Sequence, residues 1–118
     1  MADNYVFGDY VLDTRRHALL RGDREISVGE RNFGVLKILV ENAGRVVERQ
    51  ELIERVWTDV AVSDDSLARA VSDLRSTLGD DPAHPQFIRT VHRRGYLFVA
   101  PVETGEAEPP EPRRDSRT

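Results

Sequence analysis

The chain shows two kinds of apolar pattern, with short runs near both ends and helical spacing between them. Short apolar runs separated by turn residues predict a small antiparallel sheet at the start of the chain. These runs cover residues 5–7, 10–12, 18–20 and 25–28, and glycine supplies a positive φ in the turn at 21–24. Farther along, residues 87–92 and 96–99 flank a glycine-bearing turn, which predicts a β-hairpin.

Two helices are predicted after the first sheet. Ser27 and Glu30 fit a capping box at the start of the first helix, whose apolar face ends before Gly44. Gly34 inside this helix indicates close packing by another element, because glycine otherwise destabilises a helix by about 1 kcal/mol. The apolar faces consist of Phe33, Leu36, Val40 and Ala43 in the first helix and of Leu52, Ile53, Val56 and Trp57 in the second. We therefore expect Trp57 in the core.

The third predicted helix extends from Ser63 to Gly79 and follows a short loop at residues 58–62. The Ser63 hydroxyl is suited to cap its first turn, and Gly79 is suited to end it in the left-handed conformation. One face is an apolar stripe of Leu67, Ala70, Val71, Leu74 and Leu78, and the other carries Asp65, Arg69, Ser72, Asp73 and Ser76. The polar face has the size and chemistry to enter a groove, although most such faces are simply solvated.

The composition limits the classes of function open to the chain. At 118 residues it has the size of one ordinary domain, and the absence of cysteine excludes disulfides and favours a reducing cytoplasm. No signal peptide and no apolar stretch of about 20 residues is present, so we expect this segment to make no membrane contact. An enzyme is disfavoured because the sequence has no glycine-rich phosphate loop and no catalytic spacing of histidine with carboxylates.

One local group of residues has side chains of the type that bind metal ions. Asp80, Asp81 and His84 lie close together in the connection after the third helix. The chain has no matching second pair of ligands for them, and acidic residues beside a proline usually form turns. We therefore expect no metal and no cofactor.

The charge is unevenly distributed along the chain. The net charge is −4, and residues 103–118 contribute −2 of it. This final segment has three prolines and no large apolar residue, so we expect a disordered tail or linker there. By contrast, residues 84–98 carry three arginines and two histidines without any acid, which makes the tip of the predicted hairpin a local basic patch.

The order of these elements and three sequence stretches resemble one known family. FGDYVLD near the start, ENAGRVVERQELIERVW through the second helix and FIRTVHRRGYLFV at the hairpin are similar to the OmpR/PhoB-type DNA-binding domain, in the CadC-like sub-group that carries it at the N-terminus. The resemblance implies an α+β winged helix-turn-helix with a small N-terminal antiparallel sheet, three helices and a C-terminal β-hairpin wing. It assigns residues 1–102 to this domain and leaves 103–118 as the tail.

The resemblance also implies how the domain binds double-stranded DNA and its partners. The third helix, residues 64–78, would enter the major groove, and the wing at 92–95 would reach the minor groove or phosphates. The loop before the third helix would contact RNA polymerase. The corresponding positions are Ser66, Arg69, Ser72, Asp73 and Arg75 on the helix, Thr90, His92, Arg93 and Arg94 on the wing, and Thr58, Asp59, Val60 and Ala61 on the loop.

Two departures from the family pattern affect this interpretation. Helix residues 64–78 sum to −1, so tight binding is expected to need two copies on paired half-sites, with the wing supplying attraction and the helix supplying discrimination. Glu48 stands where the second helix commonly has a serine or threonine cap. Two alternatives stay open: Arg69 is held by Asp65 or Asp73 one turn away, or the domain serves protein contacts without binding DNA.

Overall fold

The computed structural model describes residues 4–105, which form eight strands and three helices. The elements are β1 (Asn4–Phe7), β2 (Tyr10–Asp13), β3 (Ala18–Arg21), β4 (Arg24–Ile26), α1 (Glu30–Glu41), β5 (Val46–Glu48), α2 (Arg49–Val56), α3 (Asp64–Leu78), β6 (Ile88–Val91), β7 (Gly95–Phe98) and β8 (Glu103–Gly105). They divide into two compact units, one with residues 4–27 and 102–105 and the other with Val28–Pro101. None of the three helices in this part of the chain is both long and apolar enough to cross a bilayer.

The first unit is a five-stranded sheet in the order β4-β3-β2-β1-β8. All neighbouring strands are antiparallel, as the alternating runs and turns predicted. Phe7 and Tyr10, at the two sides of the first turn, are buried and stack with ring centroids 5.7 Å apart. Leu12 and Leu19, which are paired across β2 and β3, are completely buried. The small N-terminal sheet predicted from the sequence is therefore present.

The last strand of this sheet corrects the predicted start of the tail. Residues 103–105 form β8, in which Glu103 is paired with Val6 and Thr104 with Tyr5. The composition of the segment concealed this strand, because an edge strand is joined through backbone N–H and C=O groups and does not need apolar side chains. Residues 106–118 lie outside the described residues, and the disorder expected there stays a prediction.

The second unit is built around the three helices. The five apolar residues of the α3 stripe are each between 0% and 4% exposed, which confirms the predicted core face. In α1, Phe33 and Leu36 are likewise buried, whereas Ala43 lies beyond the helix and is exposed. A methyl group at Gly34 would lie 3.5 Å from two side-chain carbons of Val56, an ordinary van der Waals distance, so α2 packs against this position as expected but does not require glycine there.

Trp57 follows α2 and is only half-buried, so its predicted place in the core is wrong. It is the C-cap residue of α2 instead of part of its apolar face. The guanidinium carbon of Arg31 lies 5.9 Å from the centre of its ring. The helical spacing of the apolar residues includes Trp57, but α2 ends one residue earlier, at Val56. The spacing therefore predicted the wrong position for this side chain.

The helix caps agree with the predictions only in part. α1 begins at Glu30 with Gly29 as N-cap and without a side-chain cap bond, so the predicted capping box at Ser27 is wrong. Ser63 is the N-cap of α3, but its side chain makes no cap bond either; its carbonyl accepts a hydrogen bond from the Ser66 N–H at 3.1 Å. Gly79 ends α3 in the left-handed conformation, with φ 67°, as predicted.

The hairpin predicted near residues 87–99 is part of a three-stranded antiparallel sheet in the order β5-β7-β6. Its outer strand β5, directly before α2, was not predicted from the sequence. Val47 of β5 is paired with Tyr96 of β7, and both are buried. The wing is thereby joined through β5 to the beginning of α2.

Candidate nucleic-acid interface

The polar face of α3 is exposed, as its pattern predicted. Arg69, Ser72 and Asp73 are exposed, and Ser66 and Arg75 are half-buried at its margins. The stripe on the opposite side of the helix is buried, so the orientation of α3 about its axis is determined by the core. The side chains around Arg69 on this face are short, so another molecule can approach the helix closely.

Arg69 is not held by the acids of its own helix. Asp65 and Asp73 lie one turn before and one turn after it, yet neither forms a salt bridge with its guanidinium. Among residues 4–105, no hydrogen bond or ion pair of the Arg69 side chain is found. The intrahelical ion pair considered from the sequence is therefore absent, and the Arg69 guanidinium is available to a ligand.

Arg75 joins α3 to the wing. Its Nε and Nη2 atoms donate to the carbonyl oxygen of Ile88 at 3.3 and 3.0 Å, and Nη2 also donates to the Thr90 hydroxyl at 2.8 Å. Two residues that the sequence assigned to DNA contact, Arg75 and Thr90, are thus bonded to each other. These bonds fix the first strand of the wing against the third helix.

A second link between α3 and the wing comes from Asp80, directly after the helix C-cap. Its carboxylate accepts hydrogen bonds from the backbone N–H groups of Gln86, Phe87 and Ile88 at 2.7, 3.2 and 2.9 Å. It accepts another from the Asp81 N–H at 3.1 Å. From the sequence, Asp80 was predicted only to form a turn, because spacing does not reveal which distant N–H groups a carboxylate will meet.

The turn of the wing has an unusual backbone at Arg93. Its φ is 64°, in the left-handed region that disfavours a non-glycine residue. The glycine of this turn, Gly95, serves a different purpose. A methyl group there would overlap the carbonyl oxygen of Val47, so the absence of a side chain lets β5 pair closely with β7.

Arg94 is bound to the start of α2. Its Nη2 lies 3.0 Å from Oε2 of Glu48, and its carbonyl oxygen accepts a hydrogen bond from the Arg49 N–H at 3.0 Å. No acid lies near Arg94 within residues 84–98, but Glu48 from outside this segment neutralises it. The partner lies 46 residues earlier in the chain and was outside the local window from which the charge was read.

The remaining cations of the wing are exposed. The side chains of Arg89, His92 and Arg93 are all exposed, and none of these side chains has a hydrogen-bond or ion-pair partner within the described residues. Arg93 stands at the tip of the turn, and Arg89 lies on β6. Together they give this end of the second unit a positive surface that its own acids leave largely uncompensated.

The loop predicted to contact polymerase is held by α1. Arg31 Nη1 donates to the carbonyl oxygen of Val56 at 3.0 Å, and its Nη2 lies 3.4 Å from Oδ1 of Asp59. The four loop residues Thr58, Asp59, Val60 and Ala61 are all exposed, and the apolar side chain of Val60 is 48% exposed. Sequence reasoning did not identify Arg31, since it precedes the loop by a whole helix.

The connection after α3 contains the acids and histidine of the disfavoured metal site, Asp80, Asp81 and His84. His84 Nδ1 lies 3.6 Å from Oδ2 of Asp81, and both side chains are exposed. Within residues 4–105 no cluster of three or more histidine, cysteine, aspartate or glutamate side chains is arranged to hold an ion. The Asp80 carboxylate is occupied by backbone N–H groups.

Comparison with known proteins identifies the same family from sequence and from structure. Residues 23–98 match the family model described as Transcriptional regulatory protein, C terminal. The chain is 34% identical over 108 residues to the Transcriptional regulator HilA of Salmonella typhi, covering 92% of this chain and 19% of that protein. It therefore spans about one fifth of the length of this relative.

Two solved structures show the same arrangement of elements. The DNA-binding domain of Escherichia coli CadC is similar with a TM-score of 0.75 at 27% identity, over 87% of this chain and 97% of that one. The RstA DNA-binding domain of Klebsiella pneumoniae, solved in complex with the RstA box, has a TM-score of 0.72 at 28% identity, over 81% and 96%.

The family match includes every helix and both strands of the wing. The winged helix-turn-helix predicted from the sequence is confirmed by these structures, and so is the resemblance on which it rested. The chain belongs to the OmpR/PhoB-type family of DNA-binding domains of transcriptional regulatory proteins.

Proposed function

We propose that this chain is the DNA-binding domain of a bacterial transcription regulator, acting without enzymatic chemistry and without a cofactor in the cytoplasm. One observation carries the proposal: an exposed polar helix face and an exposed basic turn are held in one unit by direct bonds. Arg75 and Asp80 both connect α3 to β6. The polar face of α3 and the basic turn of the wing are therefore held in fixed positions relative to each other. A DNA duplex offers a major groove for the one and a phosphate backbone for the other.

In this proposal α3 discriminates between sequences in the major groove. An α-helix fits that groove, and Arg69 has a free guanidinium suited to the O6 and N7 atoms of guanine. Asp73 is suited to accept from a cytosine amino group, and Ser72 to contact either type of base. Ser66 lies at the margin of the same face.

The wing supplies attraction that does not depend on sequence. His92 and Arg93 are exposed at its turn, where narrow minor grooves and phosphates draw cationic side chains. A left-handed backbone costs an arginine about 1–2 kcal/mol relative to the usual conformation. Glycine would avoid that cost at position 93, so retention of a long cation there supports a binding role.

Two partners complete the proposal. A helix of net charge −1 makes few favourable phosphate contacts, so tight binding requires two copies of the domain on paired half-sites. The exposed loop of residues 58–61 is the surface for RNA polymerase, and its attachment to α1 through Arg31 gives it a defined shape.

Selection from random DNA pools across a salt series tests this function. The purified domain should enrich one sequence family, and its log affinity should fall linearly with log salt. A single half-site should bind more weakly than a tandem pair. Failure to retain DNA at any salt concentration would instead favour a domain that makes protein contacts alone.

A further inference from the structure

Glu48 and Arg94 form an ion pair between the start of α2 and the wing. The atoms Oε2 and Nη2 are 3.0 Å apart, and the two side chains are 51% and 61% exposed. Both groups are therefore accessible to solvent and to a ligand. A pair this exposed contributes at most about 1 kcal/mol, so it opens readily when a better partner arrives.

The carboxylate of Glu48 is not engaged in capping its helix. Glu48 is the N-cap residue of α2, but its side chain makes no cap hydrogen bond. The first N–H of the helix, that of Arg49, is instead bonded to the Arg94 carbonyl oxygen. The Glu48 side chain is thus directed to the Arg94 guanidinium.

The pair borders a polar cleft of about 170 Å³. The cleft is lined by Glu48, Arg49, Gln50, Arg93 and Arg94. Three of the five residues are arginines, and guanidinium groups bind carboxylate and phosphate through the same geometry. Glu48 therefore supplies the only negative side chain of this lining, in contact with an arginine of the wing.

We propose that Glu48 competes with the DNA backbone for Arg94 and so sets the affinity and salt dependence of binding. The inference rests on the proposed DNA-binding function. In the free domain the carboxylate occupies Arg94; on binding, a phosphate must displace it and then lie close to a negative charge. Both effects weaken binding to all sequences alike, because a phosphate contact carries no sequence information.

Replacing Glu48 with glutamine removes the charge at nearly constant shape. Loss of a surface ion pair together with loss of repulsion between the carboxylate and a nearby phosphate predicts affinity about five- to tenfold higher for preferred and for random DNA. The slope of log affinity against log salt should become steeper by about 0.9, because in the parent the phosphate that Arg94 gains is offset by the carboxylate that it releases. Glu41→Gln is the matched control, since it removes an exposed acid at the end of α1 and should change neither quantity comparably.

A double-mutant cycle tests whether Glu48 affects DNA binding through Arg94. Glu48→Gln should give little or no gain when Arg94 is already alanine, whereas a general effect of net charge would persist in that background. Glu48→Ser is a second variant. Serine is a preferred N-cap residue, so this variant should fold, and its DNA affinity should also rise. Circular dichroism verifies that each variant is folded.

The possible outcomes distinguish a failure of the Glu48 inference from a failure of the proposed DNA-binding function. If the parent domain binds DNA and both Glu48 variants bind equally well with the same salt slope, the inference is overturned and the function stands. A gain that Glu41→Gln reproduces, or that survives Arg94→Ala, overturns the inference too. If neither parent nor variants bind DNA at low salt, the proposed function and the inference both fall.

Discussion

The Arg75 guanidinium donates to the Thr90 hydroxyl at 2.8 Å, which joins the third helix directly to the wing. Because Arg75 also donates twice to the Ile88 carbonyl oxygen, its main effect is expected on the position of the wing. Arg75→Ala should lower the free energy of unfolding by about 2 kcal/mol, as expected for lost hydrogen bonds to a charged group. Urea denaturation measures this, and Thr90→Val, which removes one of the bonds, should cost about 1 kcal/mol. Equal stability of Arg75→Ala and the parent would show that the link is not a stabilising one.

Asp80 is the second attachment of the wing. In Asp80→Asn, an NH2 group replaces one carboxylate oxygen, so only one of the two pairs of backbone N–H groups, Asp81 with Gln86 or Phe87 with Ile88, keeps an acceptor. We expect a loss of about 2 kcal/mol in thermal or urea unfolding. Asp81→Asn is the control: its carboxylate accepts one backbone bond, from Ala83 at 2.9 Å, and the loss should be smaller. The two variants behaving alike would contradict a special role for Asp80.

Arg93 is the better probe of the wing, since Arg94 is engaged by Glu48. Arg93→Asn removes the charge while keeping a residue that tolerates the left-handed backbone. Its salt slope should be shallower by about 0.9, with weaker binding to every sequence and unchanged folding stability. Fluorescence anisotropy across salt concentrations gives the slope. Parental slope and affinity in this variant would mean that the wing tip does not touch DNA.

Arg69 should behave in the opposite manner. Arg69→Ala is expected to cost about 1–3 kcal/mol on the preferred site and little on random DNA, because a base contact carries sequence information. Competition binding with the selected site and a scrambled one measures the difference. Ser76→Ala, at an exposed position later in the same helix, is the control. Equal losses on both DNAs would reassign Arg69 to the backbone.

Asp59 and Arg31 test the loop after α2. Asp59→Ala should leave DNA affinity unchanged, because the loop is assigned to a protein partner, and should lower transcription from a cognate promoter. Arg31→Ala should reproduce the transcription defect by releasing the loop from Val56 and Asp59. Binding and reporter assays separate the two effects. A loss of DNA affinity in Asp59→Ala as large as that in Arg93→Asn would show that the loop has been assigned to the wrong partner.

Local periodicity accounts for the part of the fold that was predictable. The α3 stripe and the Gly79 stop depend on residues within a few positions of each other, so their pattern survives in the sequence. Both predicted side-chain caps failed, because the residue types that favour a cap do not determine where the helix starts or which way the side chain turns.

The contacts of the site that were not predicted join residues that lie far apart in the sequence. Glu48 meets Arg94, and Arg31 meets Asp59, across 46 and 28 residues. Such pairs depend on how strands and helices are placed in space, which charge counting within a segment does not capture. For the same reason Gly95 was predicted only as a turn residue: its neighbour Val47 belongs to a strand that was not predicted from the sequence.

The pairing of β8 with β1 has a consequence for the two ends of the described segment, residues 4 and 105. Asn4 lies opposite Gly105 in this antiparallel pair, so the described segment enters and leaves the sheet at one corner. A short peptide between these ends would make the backbone circular without crossing the fold, and the exposed Gly22 turn offers a place to reopen it. Tension applied through residues beyond 105 would likewise be borne first by the three residues of β8, whose backbone bonds to β1 would have to separate before the load reached Val102.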